Sequence, residues 1–186
     1  MANEAETIEG RRGGLPWRAI GWSIPAILLL LPLVAMQFTK EVNWTASDFF
    51  FAAVLFGSVG AAFELIVRWS GSLTYRLGAA LAVLMAFLTI WANGAVGMIG
   101  DEDNPYNLLF LGVLVVALAG AVAARFQARG MAMAMVVAGV AQAAAAAGGF
   151  ASDIRGAMFS MVFALPWLLA AALFWNAAGG GTRVQG

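Results

Sequence analysis

Few residues in this chain have side chains suited to chemistry, and they fall in three places. Glu64 and Arg68 stand four apart inside an apolar run. Glu before Arg at that spacing is the favoured order for an ion pair along one helix face. A carboxylate at such depth is equally a candidate ion or proton site, because an unpaired charge in hydrocarbon is expensive. Asn93 and Gln142 are further candidate polar residues inside the apolar runs, and an Asn amide there is suited to hydrogen bonding between helices. The third place is acidic: Asp101, Glu102 and Asp103 precede Asn104 and Pro105, and Glu41 and Asp48 lie in an earlier connection.

A hard cation such as Ca²⁺ takes about six to eight oxygen ligands, so these five carboxylates form a candidate cation site. The spacing lacks the alternation and closing Glu of an EF-hand loop. The same residues also read as helix starts. Asn104 before Pro105 is an N-cap with proline in the first helical position, and the acids favour the positive end of the helix dipole. Thr45 and Asp48, three apart, match a capping box with Asp in place of Glu.

Much chemistry is excluded. The chain has no Cys and no His, which removes thiolate and imidazole metal sites, thiol nucleophiles and the commonest general base. No cofactor and no catalytic residue is assigned. The net charge of +0 and the lack of a basic stripe give no footprint for nucleic acid.

The elements that must position these residues are membrane helices. Of 186 residues, 62% are hydrophobic and only 11% charged, too few charges to clothe a soluble domain. A span needs about 20 mostly apolar residues. Six runs qualify: 20–38, 49–68, 77–98, 107–124, 131–150 and 157–176. The expected fold is all-α, a six-helix integral membrane bundle over 20–176. A disordered cytoplasmic tail is expected over 1–19 and a flexible one over 177–186. Arg11, Arg12, Arg18, Arg68, Arg76, Arg125, Arg129 and Arg183 fall on one side of this arrangement, and only Lys40 and Arg155 on the other. Basic residues are retained inside, so both termini are expected to be cytoplasmic. The first run is longer than a signal-peptide core and lacks a small-residue cleavage site, so it reads as a retained span.

Residues 131–150 hold no Leu or Ile. Small side chains gain little from lipid but let helices approach closely. Ala134, Ala138, Gln142 and Ala146 recur every four residues and share one face, so this run reads as the interior helix. A re-entrant form would instead put the C-terminus outside. Pro25 and Pro32 are expected to bend the first span. Trp17, Trp22, Trp69, Tyr75 and Trp175 fall at the inner interface, Trp44 and Tyr106 at the outer one. Trp91 and Trp167 lie deeper, as packing residues.

Two stretches carry a resemblance: Met36-Gln37-Phe38-Thr39-Lys40-Glu41-Val42-Asn43-Trp44-Thr45-Ala46-Ser47-Asp48-Phe49, and Trp91-Ala92-Asn93-Gly94-Ala95-Val96-Gly97-Met98-Ile99-Gly100-Asp101-Glu102-Asp103-Asn104-Pro105-Tyr106-Asn107-Leu108. Both resemble a family of small uncharacterised multi-pass bacterial inner-membrane proteins, and the likeness extends loosely over residues 20–175. The acidic N-terminal tail departs from it. The resemblance implies a membrane bundle in the bacterial inner membrane and no mechanism.

The function these features favour is a non-enzymatic binding or accessory component, partnered by the bilayer and by other membrane subunits or a second copy. The alternative is a small cation or proton transporter with an acidic outer entrance. Its two halves would be three-helix repeats, although they share no detectable sequence similarity.

Overall fold

The computed structural model describes residues 16–180, and every regular element among them is helical. The helices are α1 (Pro16–Ala35), α2 (Ala46–Trp69), α3 (Leu73–Ala95), α4 (Leu108–Ala123), α5 (Ala128–Gly149), α6 (Ile154–Val162) and α7 (Ala164–Gly180). A single 3₁₀ turn, Pro105–Asn107, leads into α4. Among the described residues, five segments are long and apolar enough to cross a membrane: α2, α3, the 3₁₀ turn with α4, α5, and α6 with α7 together. The protein is therefore an all-α, multi-pass membrane protein, and lipid is the solvent of its outward faces.

The chain divides into two compact units, Met1–Ala62 and Phe63–Gly186. In the first, α1 runs through both Pro25 and Pro32 and ends at Ala35, three residues short of the expected boundary. Phe38, assigned to the span by its hydropathy, is 86% exposed in the turn that follows. The helix also begins earlier than expected, so residues 16–19 are helical rather than part of a tail. The rest of that tail lies outside the described residues. Trp22 packs its ring on α2 where Gly60 leaves room; a Cβ there would come within 2.9 Å of the indole.

In the second unit α5 is the interior helix. Half of its membrane-length window is buried, the largest share of the five. Ala134, Ala138, Gln142 and Ala146 are all buried on it, as their four-residue spacing requires. It packs against α4, α6 and α7, while α3 packs against α7. Small residues set the closeness of these contacts. Gly120 of α4 meets Ala134, and Gly78 of α3 meets Ala170 and Leu173 of α7.

The last span departs most from expectation. Residues 157–176 read as one helix, but the chain breaks at Phe163 into α6 and α7. Pro166 is the cause: it has no N–H for the Val162 carbonyl and its ring crowds that same carbonyl. Helix then continues to Gly180, so 177–180 are not part of a flexible tail; residues 181–186 lie outside the described residues.

Polar side chains secure the helix ends. Thr45 and Asp48 form the expected capping box: the Thr45 N–H donates to Asp48 Oδ2 at 2.7 Å, and the Asp48 N–H points back to Thr45 Oγ1 at 3.4 Å. Arg76 closes the C-terminus of α2, donating to the carbonyls of Ser70 at 2.6 Å and Val67 at 3.0 Å. Between α4 and α5, Arg125 and Phe126 both adopt left-handed φ, 50° and 57°, a conformation costly for residues with a Cβ. Tyr75 holds that turn by donating its hydroxyl to the Phe126 carbonyl at 2.7 Å.

Candidate functional site

The polar residues of the second unit gather at the end where the α3–α4 and α5–α6 connections meet. The chain leaves α3 through Gly97, whose φ of +74° is open only to glycine at low cost. A Cβ there would collide with the Asp101 carbonyl. The following residues double back over Asn107. Its Oδ1 accepts the N–H groups of Met98 at 3.0 Å and Ile99 at 2.8 Å, and its Nδ2 donates to the Asp101 carbonyl at 2.7 Å. One buried amide thus replaces the backbone partners that the connection lacks.

Asn104 does the same one turn earlier. Its Oδ1 accepts the Tyr106 N–H at 3.0 Å, capping the 3₁₀ turn with Pro105 in first position as expected, and its Nδ2 donates to the Ile99 carbonyl at 2.9 Å. Tyr106 then reaches α5, donating its hydroxyl to the Ala145 carbonyl at 2.8 Å. Its hydroxyl, like that of Tyr75, ties two segments of the protein together.

The α5–α6 connection closes on this loop. Asp153 Oδ1 accepts the Gly156 N–H at 3.0 Å as the N-cap of α6, and its Oδ2 accepts the Gly100 N–H at 2.9 Å. The Gly100 and Gly156 donors hold the Asp153 carboxyl below the usual carboxylate range, with a smaller contribution from Arg155. Ser160 donates its hydroxyl to the Met98 carbonyl at 2.9 Å. Gly156 lets the strand of chain at Met98 pass close by, since a Cβ would press on the Met98 carbonyl.

The residues singled out in the sequence divide sharply. Asp101, Glu102 and Asp103 are exposed on the loop, and the bonds that hold it come from Asn104, Asn107, Asp153 and Ser160 instead. Glu41 and Asp48 belong to the first unit, where Asp48 serves the capping box and the Glu41 N–H donates to Thr39 Oγ1 at 3.1 Å. Among the described residues no three carboxylates gather in a way that could hold a metal ion.

Glu64 and Arg68 form the expected ion pair along α2, 2.7 Å apart, with the Arg68 side chain well exposed. Asn93 does not bond between helices as expected. Its Nδ2 donates to the Thr89 carbonyl of its own helix at 2.7 Å, because the carbonyl four residues back is the nearest acceptor to a short polar side chain. Gln142 does bond between helices: its Nε2 donates to the Ser160 carbonyl at 3.0 Å.

Beside Asp153, the residues Asn107, Ser160, Thr89 and Pro166 carry the organisation of this end, and these four were not picked out in the sequence. Pro166 had a readable signal, a proline in the middle of an apolar run. No family model, curated protein or solved structure matches the chain.

Proposed function

We propose that this protein is a non-catalytic binding or accessory component of the bacterial inner membrane, built from six spans with both termini in the cytoplasm. The eight-to-two distribution of basic residues supports that orientation, and the resemblance of its two loop motifs supports the location. The observation that carries the reading is the division of labour in the α3–α4 connection. Asn104, Asn107 and Asp153 hold the loop, while the side chains of Asp101, Glu102 and Asp103 stay exposed on it. A loop held at both ends presents its charges in a fixed arrangement, which lowers the ordering cost of docking a partner. The partner is another membrane subunit or a second copy of this chain.

Native mass measurement after mild extraction from the source membrane tests this. The wild-type chain is expected in a complex heavier than one copy. Replacing Asp101→Asn, Glu102→Gln and Asp103→Asn together should release it as a single chain with an unchanged melting temperature. A wild-type protein that leaves its native membrane alone would contradict the reading.

The second reading, a small cation or proton transporter, draws on the interior. Asn93 and Gln142 each keep an unpartnered oxygen inside the second unit, and Gln142 also holds Ser160 of α6, three residues before the break between α6 and α7. Broken helices with polar interiors are a recurrent feature of transport sites. Cation-dependent uptake into vesicles holding the purified protein would favour this reading over the first.

A further inference from the structure

The apolar interior of the second unit is split into two clusters. One holds Met85 and Leu88 of α3, Ala138 and Ala141 of α5, and Trp167 of α7. The other, nearer the loop, holds Met98, Ile99, Phe110 and Ala157, with Ala92 and Ala145 against it. Phe163, at the helix break, packs on both. On each of three helices one fully buried polar residue lies between the two clusters: Thr89 between Leu88 and Ala92, Gln142 between Ala141 and Ala145, Ser160 between Ala157 and Phe163. Asn93 follows Ala92 at the same level, 8% exposed. Thr89, Asn93, Gln142 and Ser160 thus fall at the level where the two clusters meet, and Gln142 and Ser160 are joined there three residues before the break at Phe163.

This layer is only partly satisfied from within. Gln142 Nε2 reaches the Ser160 carbonyl and Asn93 Nδ2 reaches the Thr89 carbonyl. Thr89 Oγ1, Asn93 Oδ1 and Gln142 Oε1 are buried with no hydrogen-bond partner, and so is Trp167 Nε1. Trp167 is close at hand: Gly139, one turn from Gln142 on α5, lies against the Trp167 Cβ. Buried orphans of this kind are rare, and each calls for a reason. Three are oxygens with lone pairs to offer and one is an N–H donor, on neutral side chains.

We propose that the layer is a buried hydration site, in which ordered water bridges Thr89, Asn93 and Gln142 beside the α6–α7 break. Water both donates and accepts, so it serves the three oxygens and the indole N–H together; a metal cation would satisfy the oxygens and leave the indole bare. An occupant among neutral side chains is also best neutral, since a charge buried without a counter-charge is costly. Internal waters characteristically make about three hydrogen bonds to groups otherwise unsatisfied. The site goes beyond the accessory reading and stands whether or not that reading holds.

Thr89→Val is the decisive substitution, because it removes only a hydroxyl that has no protein partner. If water bridges the layer, the melting temperature falls, and the fall disappears in a Gln142→Leu background, where the bridge is already broken. The melting temperature is the same in sodium, potassium and choline chloride, and a high-resolution structure of the wild-type protein shows density within hydrogen-bond distance of at least two of the three oxygens. A Thr89→Val variant that melts higher than wild type, a layer free of density, or stabilisation by sodium or potassium over choline would each overturn the proposal.

Discussion

Asp153 accepts the Gly100 N–H at 2.9 Å across 53 residues of sequence, and the same carboxylate caps α6 through Gly156. One side chain therefore both starts a helix and fastens a loop. Its ionised form is the one these donors favour, so the folded-state value is lowered. The stability it contributes is present above the ordinary carboxylate value and is lost as pH falls through the lowered one. The melting temperature of the wild-type protein is expected to fall once the pH drops below about 4. Asp153→Ala should lower the melting temperature at neutral pH and reduce that acid-side fall. A variant with the wild-type acid profile would show that the carboxylate does not hold the loop.

Asn107 is expected to be the most sensitive residue of the loop. Asn107→Leu keeps the branched outline of the side chain but strips the acceptor from two buried N–H groups, those of Met98 and Ile99. Each donor left bare costs roughly 1–3 kcal/mol. Thermal melting in detergent should show the loss, and hydrogen exchange should quicken at Met98 and Ile99 before it does in α5.

Asn104→Ala tests the neighbouring cap. Loss of an N-cap costs about 0.5–2 kcal/mol, here with the added loss of the bond to the Ile99 carbonyl. The effect should be the same with and without millimolar Ca²⁺, because the residue works by capping. A melting temperature that rises with Ca²⁺ in the wild type and not in a variant carrying Asp101→Asn and Glu102→Gln would revive the cation site.

Ala138 probes the interior helix. It is fully buried on the face of α5 that meets its neighbours, so Ala138→Leu should overpack the contact at a cost of roughly 1–3 kcal/mol. Val140→Leu, on the exposed face of the same helix, should leave the melting temperature within error of wild type.

The interior role of α5 was legible because small residues at a four-residue period report a close helix contact directly, through Ala134, Ala138, Gln142 and Ala146. The capping box at Thr45 and the cap at Asn104 were legible for a similar reason: both are local, within three residues. Helix starts were placed late. Hydropathy begins counting at Phe49 and Leu77, while α2 and α3 begin at Ala46 and Leu73, because a first helical turn tolerates polar residues that an apolar window rejects. The bonds of Asp153 to Gly100 and of Ser160 to Met98 were not legible, since they join residues far apart in sequence and neither end repeats with a helical period. The acids drew the eye in the loop, while the amides beside them hold it.

The side of the membrane that this loop faces decides what its exposed acids can meet. The chain has no cysteine, so a single introduced thiol is the only one present, and its accessibility reads the side directly. Glu102→Cys, on the exposed part of the loop, should react with a membrane-impermeant maleimide added to intact cells. Gln127→Cys, in the α4–α5 turn, should react only after the membrane is opened. Labelling of Gln127→Cys in intact cells, with Glu102→Cys protected, would invert the protein and contradict the account.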